Sequence, residues 1–213
     1  LFCWQHFPLY PEKVTQTKKI ILRKRYWLYY ALQFMSGARR QIFVVFAGFL
    51  MVEKFNFTVA EISLLLIANA AINVVFAPKI GRLIQRFGER KSLIFEYVGL
   101  SLIFAGYAFV ESSTFAVFLY IADHLLFSIA IALKTYFQKI ADPADIASSA
   151  GVSFTINHIA AVFIPVVFGL VWLYSPSLVF LAGSGMAIIS LLLAFNMPAN
   201  PASGNEVLLG KFS

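Results

Sequence analysis

The segment GRLIQRFGERK, residues 81–91, lies between two long apolar runs and is the most informative stretch for the fold. Its two glycines permit a tight turn. Its four basic side chains would be costly to place inside a lipid bilayer. We therefore expect a short connection at one face of a membrane, with an apolar helix on either side of it.

The composition of the whole chain agrees with a membrane location. Of its 213 residues, 60% are hydrophobic and 13% are charged, against about 45–50% and about 25% in soluble domains. Disordered proteins have the opposite composition, and so few charged residues would not cover a single soluble core. The one cysteine, Cys3, excludes an intramolecular disulfide, and we expect neither a metal site nor a cofactor.

Six apolar runs are each long enough for a helix that crosses the bilayer, which takes about 20 residues. The predicted fold is an all-α membrane protein with six transmembrane helices. The predicted spans are 26–52, 59–77, 93–110, 115–133, 148–173 and 176–196. Thr58 and Glu61 predict a capping box at the start of the second span. Residues 1–25 are interpreted as a basic cytoplasmic linker, the bundle occupies 26–196, and 197–213 are predicted to be a disordered cytoplasmic tail.

The basic residues are distributed unevenly between the two sides of these spans. Of the 17 Lys and Arg residues, 14 lie before the first span, between spans two and three, after span four or in the tail. The opposite side has only Lys54. By the positive-inside rule both termini are cytoplasmic, in a plasma membrane or a bacterial inner membrane. The net charge of +7 follows from this topology, so we expect no nucleic-acid partner.

Residues 81–91 resemble the cytoplasmic signature of the major facilitator superfamily, Gly-x-Leu-x-Asp-Arg-x-Gly-Arg-Arg/Lys. In that family the signature joins the second and third helices of each six-helix half, which is its position here. The matching residues are Gly81, Arg86, Gly88, Arg90 and Lys91. Gln85 and Glu89 depart from the signature in a way that suits the weaker copy in the second half. The resemblance implies the carboxyl-terminal half of a twelve-helix transporter, with a missing amino-terminal half as its partner.

The resemblance also implies a function. Such a protein is a secondary active transporter that moves a small solute by alternating access, surrounded by membrane lipid. The implied conformational-switch residues are Gly81, Arg86, Gly88, Arg90 and Glu96. Contact with lipid phosphate is the alternative role for Arg86 and Arg90. A membrane receptor or scaffold with the same fold is the competing function, and no catalytic motif predicts an enzyme.

Polar residues inside the spans follow the order that the resemblance implies, in which the first and fourth helices line a central cavity and the second and fifth flank it. Charges at mid-depth cost about 2.5–3.5 kcal/mol each, so they are expected to face a cavity or a partner. The candidate residues of the solute or coupling-ion pathway are Gln33, Arg39, Arg40, Asn73, Asp123, His124, Asn157 and His158. For Asn157 and His158, helix packing is the alternative role.

Three interpretations of the charged residues remain open. Arg39 or Arg40 pairs with Asp123 in an ion pair that opens during transport, with proton coupling through Asp123 and His124. Alternatively, the pair is permanent and holds two helices together. In the third interpretation, an arginine binds an anionic solute through its planar guanidinium. Arg40 is the favoured cavity residue, because it shares a helix face with Gln33.

Overall fold

A computed structural model describes residues 22–211 of the chain. Within this range it contains no β-strand and six long helices. These are α1 (Lys24–Phe55), α2 (Val59–Phe87), α3 (Glu89–Ala108), α4 (Ser113–Ile140), α5 (Pro143–Tyr174) and α6 (Pro176–Phe195). The prediction of an all-α fold is confirmed. Cys3 and most of the predicted linker lie outside the described residues.

Five of the helices, all except α3, are long and apolar enough to cross a membrane. α3 has 20 residues, which at about 1.5 Å per residue also reach across a bilayer core. Its charged residues are Glu89, Arg90 and Lys91 in the first turn and Glu96 further along the helix. α2 continues to Phe87 and α4 to Ile140, beyond the predicted spans, because a helix does not need to end where its apolar run ends.

Short connections make neighbouring helices antiparallel. Gly88 alone separates α2 from α3, and its φ of 82° is one that a residue with a Cβ rarely adopts. At the start of α2, the Thr58 side chain accepts a hydrogen bond from the Glu61 N–H, and the Glu61 carboxylate accepts one from the Thr58 N–H at 2.7 Å. The predicted capping box is confirmed.

The core is formed mainly by α3 packed along α6 and by α1 packed along α5. The first contact is close because α6 has a glycine where the two helices meet. A Cβ on Gly183 would lie 2.9 Å from the Phe104 ring. Tyr107 and Phe180 stack beside it with ring centroids 5.0 Å apart. By contrast, α2 and α5 expose long apolar faces to the outside of the bundle.

Gly183→Ala is expected to lower the free energy of unfolding by about 1–3 kcal/mol, because the added methyl group overlaps the Phe104 ring. Thermal unfolding in detergent, followed by tryptophan fluorescence, measures the change. Gly185→Ala is the matched control on the same helix, since a Cβ there has no atom within 4 Å. Equal stability of the two variants would contradict the close contact between α3 and α6.

The tail differs from its prediction. The sequence suggested disorder, whereas the described tail residues fold over the end of the bundle that carries residues 81–91. The Tyr136 hydroxyl donates to the Glu206 carbonyl at 2.6 Å, and the Trp27 indole N–H donates to the Gly210 carbonyl at 3.1 Å. Met197 and Val207 are buried in the tail, and Pro198 and Pro201 are buried with them. These apolar contacts dock a segment whose average composition is typical of disorder.

Candidate functional site

A half-open cavity of about 590 Å³ lies between α1, α4 and α5. Every residue that lines it comes from one of these three helices. They are Gln33, Ser36, Gly37, Arg40, Gln41, Val44, Phe127, Ala130, Ile131, Leu133, Lys134, Asn157, His158 and Ala161. Four of the predicted pathway residues therefore meet in one place: Gln33, Arg40, Asn157 and His158.

The helices that line the cavity are irregular next to it. α1 changes to a π-helical segment over Ile42–Ala47, and α4 contains a 3-10 turn over Ser128–Ala130. Such segments rotate the side chains that follow them and are frequent at functional sites. On the third side, α5 approaches α1 closely at Gly37, where a Cβ would lie 2.7 Å from the Asn157 side-chain oxygen.

The lining of the cavity is basic. Among residues 22–211 it contains Arg40, Lys134 and His158, and no aspartate or glutamate. The Arg40 guanidinium lies 5.5 Å from the centre of the Phe127 ring, and within residues 22–211 it forms no salt bridge. The His158 Nδ1 lies 2.9 Å from the Phe154 carbonyl oxygen. The cavity therefore presents unpaired positive charge to anything that enters it.

The neighbouring arginine, Arg39, does not line this cavity. Its side chain is 1% exposed, and its guanidinium lies 4.0 Å from the Glu96 carboxylate of α3, which is fully buried. The guanidinium also lies over the Tyr97 ring, 4.5 Å from its centre. Asp123 of α4 is 1% exposed and interacts electrostatically with both charges. We call Arg39, Glu96 and Asp123 the buried charge cluster.

This cluster corrects one expectation. Within the described residues, no salt bridge joins Asp123 to Arg39 or Arg40, and the carboxylate that pairs with Arg39 is that of Glu96. Glu96, which the resemblance implied as a switch residue, is fully buried. Sequence reasoning found Glu96 but assigned it to the switch, although its position after the apolar residues 93–95 could have indicated a buried role.

Two further candidates lie outside the cavity lining. The His124 ring packs near Phe43, with centroids 6.4 Å apart. Asn73 is half-buried on α2. Lys134, in contrast, lines the cavity and was not predicted as a site residue. It was missed because the fourth span was expected to end at residue 133, whereas the helix continues past it.

Residues 81–91 join α2 to α3 and contact the ends of α4 and α6. Glu89 is buried and pairs with Lys139 near the end of α4 at 2.7 Å. Arg90 donates to the Phe195 carbonyl at the end of α6 at 3.0 Å. Arg86 is exposed. Glu89, one of the two residues that depart from the family signature, thus supplies a charge contact of its own.

A double-mutant cycle measures the Glu89–Lys139 contact. We expect a coupling free energy of about 0.5–1 kcal/mol between Glu89→Gln and Lys139→Gln, measured from the thermal unfolding of both single variants and the double variant. The value is modest because half of the lysine side chain is exposed. Arg86→Gln is the control, since its side chain has no carboxylate partner among the described residues. Fully additive effects of the Glu89 and Lys139 variants would show that this contact contributes nothing.

Comparison with known proteins identifies the family. One family model, described as Major Facilitator Superfamily, matches residues 29–210. No curated protein and no solved structure matches the chain. The match covers most of the chain and agrees with the resemblance found in residues 81–91. Members of this family are membrane transporters, and the chain belongs to the major facilitator superfamily.

Proposed function

We propose that this chain is the carboxyl-terminal half of a secondary active transporter and contributes half of the binding site for a small anionic solute. The observation that carries the proposal is the basic cavity between α1, α4 and α5, whose lining has no acidic residue in the part of the chain that the structure describes. In alternating access, two six-helix units rock around a site near mid-membrane. The exposed apolar faces of α2 and α5 would receive the second unit.

The chemistry of the lining suits a carboxylate or a phosphate. The Arg40 guanidinium presents parallel N–H donors that match two oxygens of either group. Lys134 adds a second positive charge, and the Asn157 and Gln33 amides supply neutral hydrogen-bonding groups. A volume of about 590 Å³ falls in the range of about 300–1,000 Å³ that is usual for small-molecule sites.

The orientation is part of the proposal. Because basic residues concentrate at the end that carries residues 81–91, we place this end and both termini in the cytoplasm of a cell-membrane protein. Arg86 is exposed at that end and is available to lipid phosphate groups.

Proton coupling follows from the charge of the solute. Moving an anion into a cell with a negative interior costs about 2.3 kcal/mol per charge for every 100 mV of membrane potential. A proton that moves with the anion cancels its charge and removes this cost. Arg39 and Asp123 of the buried charge cluster lie on α1 and α4, which line the cavity, and Glu96 lies on α3. These are ionisable groups of the kind that such coupling requires.

Counterflow in proteoliposomes tests the function. The complete transporter is reconstituted, loaded in turn with unlabelled carboxylates, phosphate, neutral sugars or organic cations, and assayed for exchange with the labelled compound. We expect exchange of at least one anion and none of the cations. A receptor or scaffold with this fold would exchange no solute although it is folded, and exchange of cations alone would contradict the anionic assignment.

A further inference from the structure

The cavity between α1, α4 and α5 has two chemically different sides. Within residues 22–211, every polar side chain of its lining except that of Lys134 comes from α1 or α5. The other lining residues of α4 are apolar, and we call them the α4 wall: Phe127, Ala130, Ile131 and Leu133. A molecule in this cavity therefore meets hydrogen-bonding groups on one side and hydrocarbon on the other.

The α4 wall is accessible from the cavity. Ile131 is 52% exposed, and Phe127 and Ala130 are half-buried. The nearby hydroxyl of Ser128 donates to the His124 carbonyl at 3.0 Å and is thus engaged within its own helix. Because the transfer of apolar surface out of water is favourable, covering this wall with hydrocarbon is favourable in proportion to the area that is covered.

Arg40 lies at one end of the α4 wall. Its guanidinium is 5.5 Å from the centre of the Phe127 ring. From there the wall extends for about 10 Å to Lys134, at about 1.5 Å per residue. An acid group bound by Arg40 therefore lies next to Phe127, and the rest of the same molecule can follow the wall towards Ile131. A solute with an acid group at one end and hydrocarbon behind it matches this order.

We propose that the transported solute is an organic anion with an apolar body, whose acid group binds Arg40 and whose hydrocarbon part covers the α4 wall. This inference rests on the proposed function and narrows it. Inorganic phosphate, and anions that carry hydroxyl groups along their whole length, would leave the wall in contact with water. If the second half of the transporter covered the wall instead, it would also bury Arg40, which forms no salt bridge within residues 22–211. Burying an unpaired charge is costly.

A homologous series of anions measures how much the apolar body contributes to binding. The complete transporter in lipid nanodiscs is titrated by calorimetry with the straight-chain carboxylates from acetate to hexanoate, and empty nanodiscs give the blank. We expect the dissociation constant to fall by about fourfold for each added methylene group until the wall is covered. Inorganic phosphate should bind no more tightly than acetate.

Two results contradict the inference and leave the anion site in place: an affinity that does not depend on chain length, and phosphate as the tightest ligand. If the transporter binds neither carboxylates nor phosphate, the inference and the proposed function fail together. Binding of alkylammonium ions of the same chain lengths would then show a cation site instead.

Ile131→Ser tests whether the apolar body lies on α4. We expect this variant to weaken the binding of hexanoate by about tenfold. Its affinity for acetate should stay unchanged, because Arg40 holds the acid group. Ile188→Ser is the matched control, since Ile188 is 48% exposed on α6 and does not line the cavity. Equal hexanoate affinity in the two variants would show that the α4 wall does not hold the apolar body. If Ile131→Ser fails to fold, Ala130→Asn on the same wall decides by the same comparison.

Discussion

Arg40→Gln is expected to raise the KM for the transported anion by about 10- to 100-fold. Hydrogen bonds to charged groups contribute about 1.5–3 kcal/mol, and each 1.4 kcal/mol corresponds to about a tenfold change in affinity. The Arg40 side chain is exposed to the cavity and forms no salt bridge within the described residues, so its loss should leave the fold intact. Initial rates of uptake over a range of solute concentrations give the KM.

Two further variants make this result specific. Arg40→Lys keeps the charge but loses the planar pair of donors, so we expect an intermediate KM. Lys79→Gln removes an exposed basic residue outside the cavity and should leave the KM unchanged. An unchanged KM in Arg40→Gln would show that this side chain does not bind the solute.

The neighbouring arginine should behave differently. Arg39→Met is expected to lower the free energy of unfolding by about 3–5 kcal/mol, because it leaves Glu96 and Asp123 buried without a positive partner. Thermal or denaturant unfolding in detergent measures the loss. Replacing both carboxyls as well, by Gln and Asn, should restore part of the stability, since no buried charge then remains.

Arg40→Met is the matched control, because it removes the adjacent arginine and leaves the buried charge cluster complete. It should unfold at the same midpoint as the parent protein. If Arg39→Met were equally stable, the buried charge cluster would not be an electrostatic unit of the fold.

The family could be predicted from the sequence because local features decide it. Residues 81–91 carry the signature, and the six apolar runs and the cap at Thr58 each depend on residues close together in the chain. Arg40 was expected in the cavity from its shared face with Gln33, and the structure places both in the lining. The choice of Arg40 needs only helix geometry, whereas the signature and the cavity came from the resemblance to the family.

Arg39 and Arg40 have different surroundings, and local sequence patterns do not predict which helix each side chain contacts. Helix geometry places the two side chains about 100° apart, but it does not say which neighbouring helix meets each of them. Glu96 lies close to Arg39 because α3 packs against α4 and the buried Arg39 side chain reaches from α1 to the Glu96 carboxylate. The prediction of Asp123 as the partner used the family arrangement of helices one and four and left out α3.

Lys134 and the tail were missed for another reason. Apolar runs mark the part of a helix inside the bilayer, and α4 continues beyond it to Ile140. The tail has a composition typical of disorder, yet Met197 and Val207 dock it on the bundle. Average composition does not reveal where a few apolar side chains will find a buried position.

The proposed function requires the cavity to open to each side of the membrane in turn, and cysteine labelling measures this access. Ala161→Cys, in the cavity lining on α5, is made in a complete transporter in which Cys3 and any cysteine of the second half have been replaced by serine. Leu192→Cys on the outer face of α6, which is 63% exposed, is the control. We predict that a membrane-impermeant thiol reagent labels Cys at 161 from either side, that the transported anion changes the rates, and that the control stays unlabelled. Labelling of position 161 from one side only, at a rate that no solute changes, would contradict alternating access.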